Sequence, residues 1–469
     1  MGPNSTPSPL RWFVIAAMCF LPLHVSAVVL DKWFVLPPNP IGDGPDYEAI
    51  GFGLSKGYGW STCFSDHQWR SAYEAVQNPN VGLDYSVQLA RRGPIVADTN
   101  RPPLFPLFIA LVYHIVPRGP ISFAVIRIAL ASSLSIGCAM AVAWGVSLAS
   151  RMTLSNGSLS STLVGISLIA IVFSERNLRN YTTDFLTEPF ALMLTQAFLL
   201  VAWNGVQNGN WKWATATGAM FAGMYFCRSV FVLWVPLMIV WLLCAYGATN
   251  ARDDVRRLRP LLWVFVCMLS FGLLGSIWWV RNCCVLESFH PLGTKGSTTL
   301  LGGYCDEAVQ SAGQWQFAPE KKLRSELESK LDWDVVSADD LKELELEMGR
   351  RAKVVVSRWS TENASLLPNL VIQRVITEWN PYHGKALFMK LLALVGVVWL
   401  ITYNRVALVW LLGPLIMNTI VVAMTYSLGG RFLVPTYGSI YILAAFGVAG
   451  IVATCNRLKQ ILEARHCAD

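Results

Sequence analysis

Apolar stretches long enough to cross a bilayer recur from one end of this chain to the other, and they leave few folds open. A helix needs about 20 such residues to cover a hydrocarbon core of roughly 30 Å. Inside that core every backbone polar group must find its partner within the protein. Six segments meet the length outright: Trp12–Leu30, Ile128–Leu148, Phe185–Trp203, Leu261–Val280, Val406–Tyr426 and Phe432–Ala453. Four shorter or interrupted ones, Ser160–Ser174, Trp211–Phe226, Val230–Tyr246 and Ala386–Thr402, bring the set to ten. With 54% hydrophobic and 14% charged residues, the chain reads as an all-α polytopic membrane protein. Val25-Ser26-Ala27 looks like a small-residue cleavage site. The apolar run nevertheless continues through Leu30 and is flanked by Trp12 and Trp33, so the segment is read as a retained span.

Basic residues of short loops set the orientation, because the cytoplasmic side of a membrane protein collects Lys and Arg. Arg151, Arg252, Arg256, Arg257, Arg259, Arg405, Arg457, Lys459 and Arg465 all fall on one side by parity, which makes that side cytoplasmic. Residues 1–30 then hold the N-terminus and first span, 31–127 a long extracytoplasmic loop, and 128–280 spans two to seven. Residues 281–385 form a second extracytoplasmic loop, 386–454 spans eight to ten, and 455–469 a cytoplasmic tail. The net charge of +7 follows from this bias and gives no reason to invoke nucleic acid. Of the cysteines, Cys19, Cys138, Cys244 and Cys267 read as small apolar residues within spans. Cys63, Cys283, Cys284 and Cys305 lie in the outer loops, where one disulfide is allowed and none is required.

Within the first outer loop, Leu107–Val116 is too short to span and reads as an amphipathic helix along the interface. The second loop opens on turn residues and becomes charged and helix-forming from Ala318 to Val356, a solvated helix face by its alternating signs. Asn180-Tyr181-Thr182 and Asn363-Ala364-Ser365 fit the glycosylation acceptor pattern on the outer side.

The outer ends of the spans carry the residues with chemistry. Asp43 and Asp46 follow the first span beside Tyr47, and Asp184 and Glu188 open the fourth. Arg101, Arg127, Arg176, Arg179, Arg228, Arg281 and Arg431 gather on the same side, against the positive-inside trend. Each has a structural use as well: an arginine snorkels to lipid phosphates, and Glu188, before Pro189, suits a helix N-terminus. Together, guanidinium forks beside carboxylates suit an anionic ligand, since they match phosphate oxygens bidentately. A sugar–phosphate bond breaks readily once the leaving phosphate is stabilised, and an acceptor hydroxyl needs a base such as a carboxylate.

Several segments in order resemble the membrane glycosyltransferases of the C-type superfold, specifically bacterial relatives of the protein O-mannosyltransferases and of lipid A aminoarabinose transferase. An Asp, a nearby Tyr and a Gly-x-Gly after the first span are matched by Asp43, Tyr47, Gly57 and Gly59. Arg-Pro-Pro-x-x-Pro is matched by Arg101–Pro106, and Thr-Glu by Thr187-Glu188. Trp-x-x-Arg-Asn with a following Pro-Leu-Gly-Thr and Gly-Gly-Tyr is matched by Trp278–Asn282 and Pro291–Tyr304, and Arg-Phe-x-x-Pro by Arg431–Pro435. The resemblance implies transfer of a sugar from a polyprenyl-phosphate donor to an extracytoplasmic protein, lipid or glycan acceptor, with inversion. It implies Asp43 as the base, with Asp46 as the competing choice. Tyr47, Arg101, Glu188, Arg228, Arg281, Asn282, Lys295, Tyr304 and Arg431 would bind substrate, with Arg101, Arg281 and Arg431 around the lipid phosphate. Some relatives hold a divalent metal through an acid and a histidine, for which His290 is the available residue. The family commonly ends in a soluble domain or further spans, and this sequence stops soon after its tenth span. Two rival readings remain open: a transporter or flippase of lipid-linked sugars, and a non-catalytic homologue that binds the carrier lipid. Sugar-chain polymerases and ligases are a third class, with motifs expected in a late loop alone.

Overall fold

A computed structural model describes residues 8–40, 42–91, 93–150, 157–175, 177–249, 259–333, 335–379 and 384–466. The expected positions Arg151, Arg176, Arg252, Arg256 and Arg257 lie outside the described residues. Among the described residues the regular structure is helical, apart from one two-stranded antiparallel ribbon, Ser61–Thr62 with Val96–Ala97. Eight described helices are long and apolar enough to cross a membrane: Pro9–Val29, Pro120–Ala149, Glu188–Asn208, Ser229–Thr249, Pro260–Leu286, Ala386–Tyr403, Arg405–Met424 and Arg431–Arg465. The protein is therefore an all-α, multi-pass membrane protein. The segments expected near 160–174 and 211–226 form the shorter helices Gly157–Ser174 and Trp211–Cys227.

These helices pack as a bundle. Pro9–Val29 lies along Pro120–Ala149, Trp211–Cys227 lies between Glu188–Asn208 and Arg259–Leu286, and Gly384–Tyr403 pairs with Tyr437–His466. Lipid tails are as apolar as leucine, so close van der Waals approach and interhelical hydrogen bonds hold such helices together. Gly396 and Gly447 provide the approach in the last pair. A Cβ at either would sit within 2.1 Å of a facing backbone carbonyl, Leu443 O or Leu392 O. His24 Nδ1 and Ser135 Oγ, both buried, meet at 2.9 Å across the first pair.

The segment between the helices Pro9–Val29 and Pro120–Ala149 folds over the ends of the bundle. Its Gly44–Ser55 helix starts at Pro45 in the first turn, where a missing N–H costs nothing. It packs on the Leu104–Ile115 helix through Gly51, where any Cβ would collide with Ile109. Gly57 and Gly59, at φ +82° and +71°, turn the chain back in the left-handed region that favours glycine. Beneath lies an aromatic core of Tyr47, Phe52, Trp69, Tyr73, Tyr85 and Phe105. The stretch expected at 107–116 is thus a helix, and its buried face is occupied by this core. In the long segment after Arg259–Leu286 the charged stretch forms two helices, Ala318–Glu328 and Ala338–Glu362, around Leu323, Leu327, Leu344 and Met348.

Candidate functional site

Seven charged side chains from six places along the chain join in one alternating row. Asp43 caps the Gly44–Ser55 helix without using its carboxylate for a capping hydrogen bond, which leaves both oxygens for other partners. Its Oδ1 lies 2.8 Å from Arg101 Nη2, and its Oδ2 accepts from Arg431 Nη2 at 3.0 Å. Asp46, in the first turn where a negative charge also suits the helix dipole, takes Arg101 Nη2 at 2.5 Å and Arg91 Nη1 at 2.5 Å. At the other end, Arg431 Nε donates to Glu188 Oε1, which also accepts from Arg228 Nη1 at 2.9 Å. The order is Arg91, Asp46, Arg101, Asp43, Arg431, Glu188, Arg228.

Local sequence explains how each arrives. Arg101 precedes Pro102-Pro103, and its own backbone N–H is held by the Asp98 carboxylate at 2.8 Å. Glu188 is the first residue of its span and is wholly buried. Arg228 stands in extended backbone where Trp211–Cys227 ends and a 3-10 turn begins. Arg431 follows Gly429 and Gly430, both at positive φ, and opens the 3-10 turn Arg431–Thr436. Glu378 fixes that turn: its two oxygens accept the backbone N–H groups of Leu428, Phe432 and Leu433 and the Ser427 hydroxyl, at 2.7–3.1 Å.

Four guanidinium groups face three carboxylates, so the row carries excess positive charge. Lys295 adds to the field at both aspartates. Burial alone would raise the Asp43 carboxyl, but Arg101, Arg431 and Lys295 outweigh it and hold the group well below the usual carboxylate range. Asp46 is lowered in the same way, by Arg91, Arg101 and Lys295 against its burial. Tyr47, buried with the Arg101 guanidinium 5.1 Å from its ring centre, is pushed up to about 12 by burial and stays protonated. The Asp43 side chain remains 30% exposed, so the middle of the row reaches solvent while Glu188 behind it is closed.

Asp43, Asp46, Tyr47, Arg101, Glu188, Arg228 and Arg431 thus come together, with Lys295 nearby. Arg281, Asn282 and Tyr304 do not join the row. Arg281 donates to the carbonyl oxygens of Asp98 and Trp60, at 2.5 and 3.1 Å. Asn282 Nδ2 donates to Pro291 O at 3.1 Å, and Tyr304 OH to Met424 O at 2.5 Å. They tie the two long inter-helix segments to each other and to the bundle. Arg127 is a clamp of the same kind: it is buried, and its guanidinium serves the carbonyls of Thr183 and Leu36 at 2.7 Å each. Asp184 holds the backbone N–H of Asn39 at 3.0 Å.

Two residues escaped the sequence reading. Arg91, in a loop without periodicity, completes the row, and the Arg91-Arg92 pair between apolar spans was the available signal. Glu48 lies on the opposite face of the same helix, fully buried, and receives Trp69 Nε1 (2.5 Å), Tyr73 OH (2.9 Å), Tyr113 OH (2.8 Å) and Arg118 Nε (2.6 Å). Among the described residues, no three His, Cys, Asp or Glu side chains converge as a metal-ligand set, and the described cysteines are all free. Comparison with protein-family models and with curated proteins finds no match.

Proposed function

We propose that this is a membrane glycosyltransferase that moves a sugar from a polyprenyl-phosphate carrier to an extracytoplasmic acceptor, with inversion. The alternating row carries the reading. It offers more guanidinium than carboxylate, in a partly open setting at the ends of the spans, which suits an anionic phosphate headgroup. In the reaction, the acceptor oxygen would bond to the anomeric carbon as the carbon–oxygen bond to phosphate breaks. The electron pair leaves with the phosphate, and the acceptor proton passes to Asp43. Arg101 and Arg431 would take the charge that develops on the leaving group.

A carboxylate held down by two guanidinium groups is a weak base while it rests among them. A donor phosphate that draws Arg101 and Arg431 toward itself weakens that hold. The Asp43 pKa then rises as the substrate arrives, with each unit corresponding to about 1.4 kcal/mol.

The reading includes ten crossings and a site on the extracytoplasmic side of the cell membrane. Glu188 and Arg431 touch, and Arg431 touches Asp43, so the start of Glu188–Asn208 and the end of Pro9–Val29 share a side. A crossing by Gly157–Ser174 between Pro120–Ala149 and Glu188–Asn208 would fit that arrangement. Arg228 beside Glu188 would fit a crossing by Trp211–Cys227 as well. A divalent metal near His290 would be an addition to this chemistry and not its basis.

The test is a transfer assay with protein in lipid, using radiolabelled polyprenyl-phosphate sugars and a crude envelope fraction as acceptor. Asp43→Asn is expected to lower transfer about 10²–10⁴-fold, the range for loss of a general base, while the folded protein survives. Wild type that binds the lipid without turnover would sink the transferase reading and leave carrier binding or transport. Transfer retained by Asp43→Asn but lost by Asp46→Asn would move the base to Asp46.

A further inference from the structure

The helix Leu367–Trp379 is built inside out. Its buried positions, Leu370, Arg374 and Glu378, recur every fourth residue, so both of its charged side chains face the protein. Arg374 donates to Gly303 O at 2.7 Å and Ala423 O at 3.1 Å, and Glu378 holds the turn that carries Arg431. The outward face is Pro368, Val371, Ile372 and Ile376, with Ile372 58% and Ile376 42% exposed. Asn369, in the first turn, is the only exposed polar residue of this helix. A helix with charges inside and bare isoleucines outside suits hydrocarbon, where exposed apolar surface has no penalty and charged groups must turn inward.

Depth argues the same way. Arg374 meets the carbonyl of Ala423, while Trp379 Nε1 donates to Thr419 Oγ1 of the span Arg405–Met424. Going from Ala423 to Thr419 moves one helical turn, roughly 6 Å, inward from the end of that span. Trp379 then lines an open apolar groove with Leu412, Leu415, Ile416, Thr419 and Ile420. Ile416, 52% exposed, belongs to the span's own outer face, so one apolar belt runs from the span onto this helix. On the approach to it, Val354 and Val355 stand exposed beside Lys353 and Arg358, the basic edge expected where a chain meets phosphate headgroups.

We infer that the chain enters the bilayer at Leu367, well before the span Gly384–Tyr403, and that lipid hydrocarbon contacts Val371, Ile372 and Ile376. The second outer segment therefore ends near Leu366, and the Arg431 turn rests on a helix set in the leaflet. This holds whether or not the protein transfers sugar.

The full-length protein with p-benzoylphenylalanine at position 372 or 376, in nanodiscs of phosphatidylethanolamine and phosphatidylglycerol, tests it by irradiation and mass spectrometry. Acyl-chain adducts are expected at both positions, several-fold above a control at the exposed Glu343 of Ala338–Glu362. Adducts to protein, or lipid yields no higher than at 343, would overturn the inference. An independent arm uses Ile372→Cys and a membrane-impermeant maleimide, against the wild-type background from exposed cysteines such as Cys284. No labelling above that background in nanodiscs, with labelling gained in denaturant, supports immersion. Rapid labelling in nanodiscs would place the face in water and reject it.

Discussion

The Gly44–Ser55 helix carries two ionic clusters on opposite sides, and they are built to opposite rules. Glu48 is closed on every side, with two phenols, an indole N–H and one guanidinium converging on its two oxygens. Burial and local charge keep Tyr73 and Tyr113 protonated there, their pKa raised well above the usual value, so they serve as donors. Asp43 and Asp46, less than two turns away, sit in a row with surplus guanidinium and a partly open centre. A cluster whose members satisfy one another has nothing left for a ligand and holds the fold. A row with surplus positive charge is the part of the molecule to which the proposed anionic substrate is assigned.

The sharpest way to break this comparison is to disturb the closed cluster. Glu48→Ala would strand the Arg118 guanidinium, 7% exposed, without a counter-charge. Breaking such a pair costs about 3–5 kcal/mol, and thermal unfolding in detergent should show it as a large fall in midpoint or as no recoverable protein. Asp43→Asn should change that midpoint far less while lowering the proposed transfer about 10²–10⁴-fold. Equal destabilisation by the two variants would erase the distinction between a structural and a functional cluster.

How much of this was legible in the chain follows from the same contrast. Span ends were readable because Glu188, Arg228 and Arg431 interrupt apolar runs, where a charge needs a reason. Asp43 and Arg101 were readable because turn-forming residues surround them. Arg91 and Glu48 carried no such context: one lies in an aperiodic loop, and the other sits among apolar residues on a short helix where a surface acid would look the same. Arg281, Asn282 and Tyr304 resembled ligand-binding residues, yet backbone carbonyls occupy all three, a use that sequence spacing does not distinguish. The inverted helix Leu367–Trp379 shows the limit most clearly. Charges every fourth residue give the same period whether they face water or a protein core, and only the neighbouring span tells which.

Proton linkage gives a second handle on the open row. Asp43 and Asp46 are lowered when folded, so the stability they contribute is complete above the carboxylate pKa of the unfolded chain, about 3.9. It is lost as pH falls below that value toward their folded ones. The stability gap between wild type and Asp46→Asn should therefore hold steady from pH 7 to about pH 5 and narrow only below about pH 4. Urea unfolding in detergent across that range reads the gap directly. A gap that closes between pH 7 and 5 would mean that the carboxylate is raised by burial and that the arginines do not govern it.

The smallest effect sharpens the picture at the edge of the row. Arg91 is 32% exposed and shares Asp46 with Arg101, which stays in place when Arg91 is removed. A partly solvated ion pair of this kind contributes about 0.2–1 kcal/mol, so Arg91→Ala should barely move the unfolding midpoint. Its value lies in charge. Removing Arg91 takes one cation from four against three carboxylates and leaves the row neutral apart from Lys295. If surplus positive charge is what an anionic headgroup meets, Arg91→Ala should weaken binding of a fluorescent polyprenyl phosphate by a few-fold, and the loss should shrink as salt screens the field over a Debye length of about 8–10 Å. Binding unchanged at low salt would mean that Arg91 only positions Asp46, and that Arg101 and Arg431 alone meet the ligand.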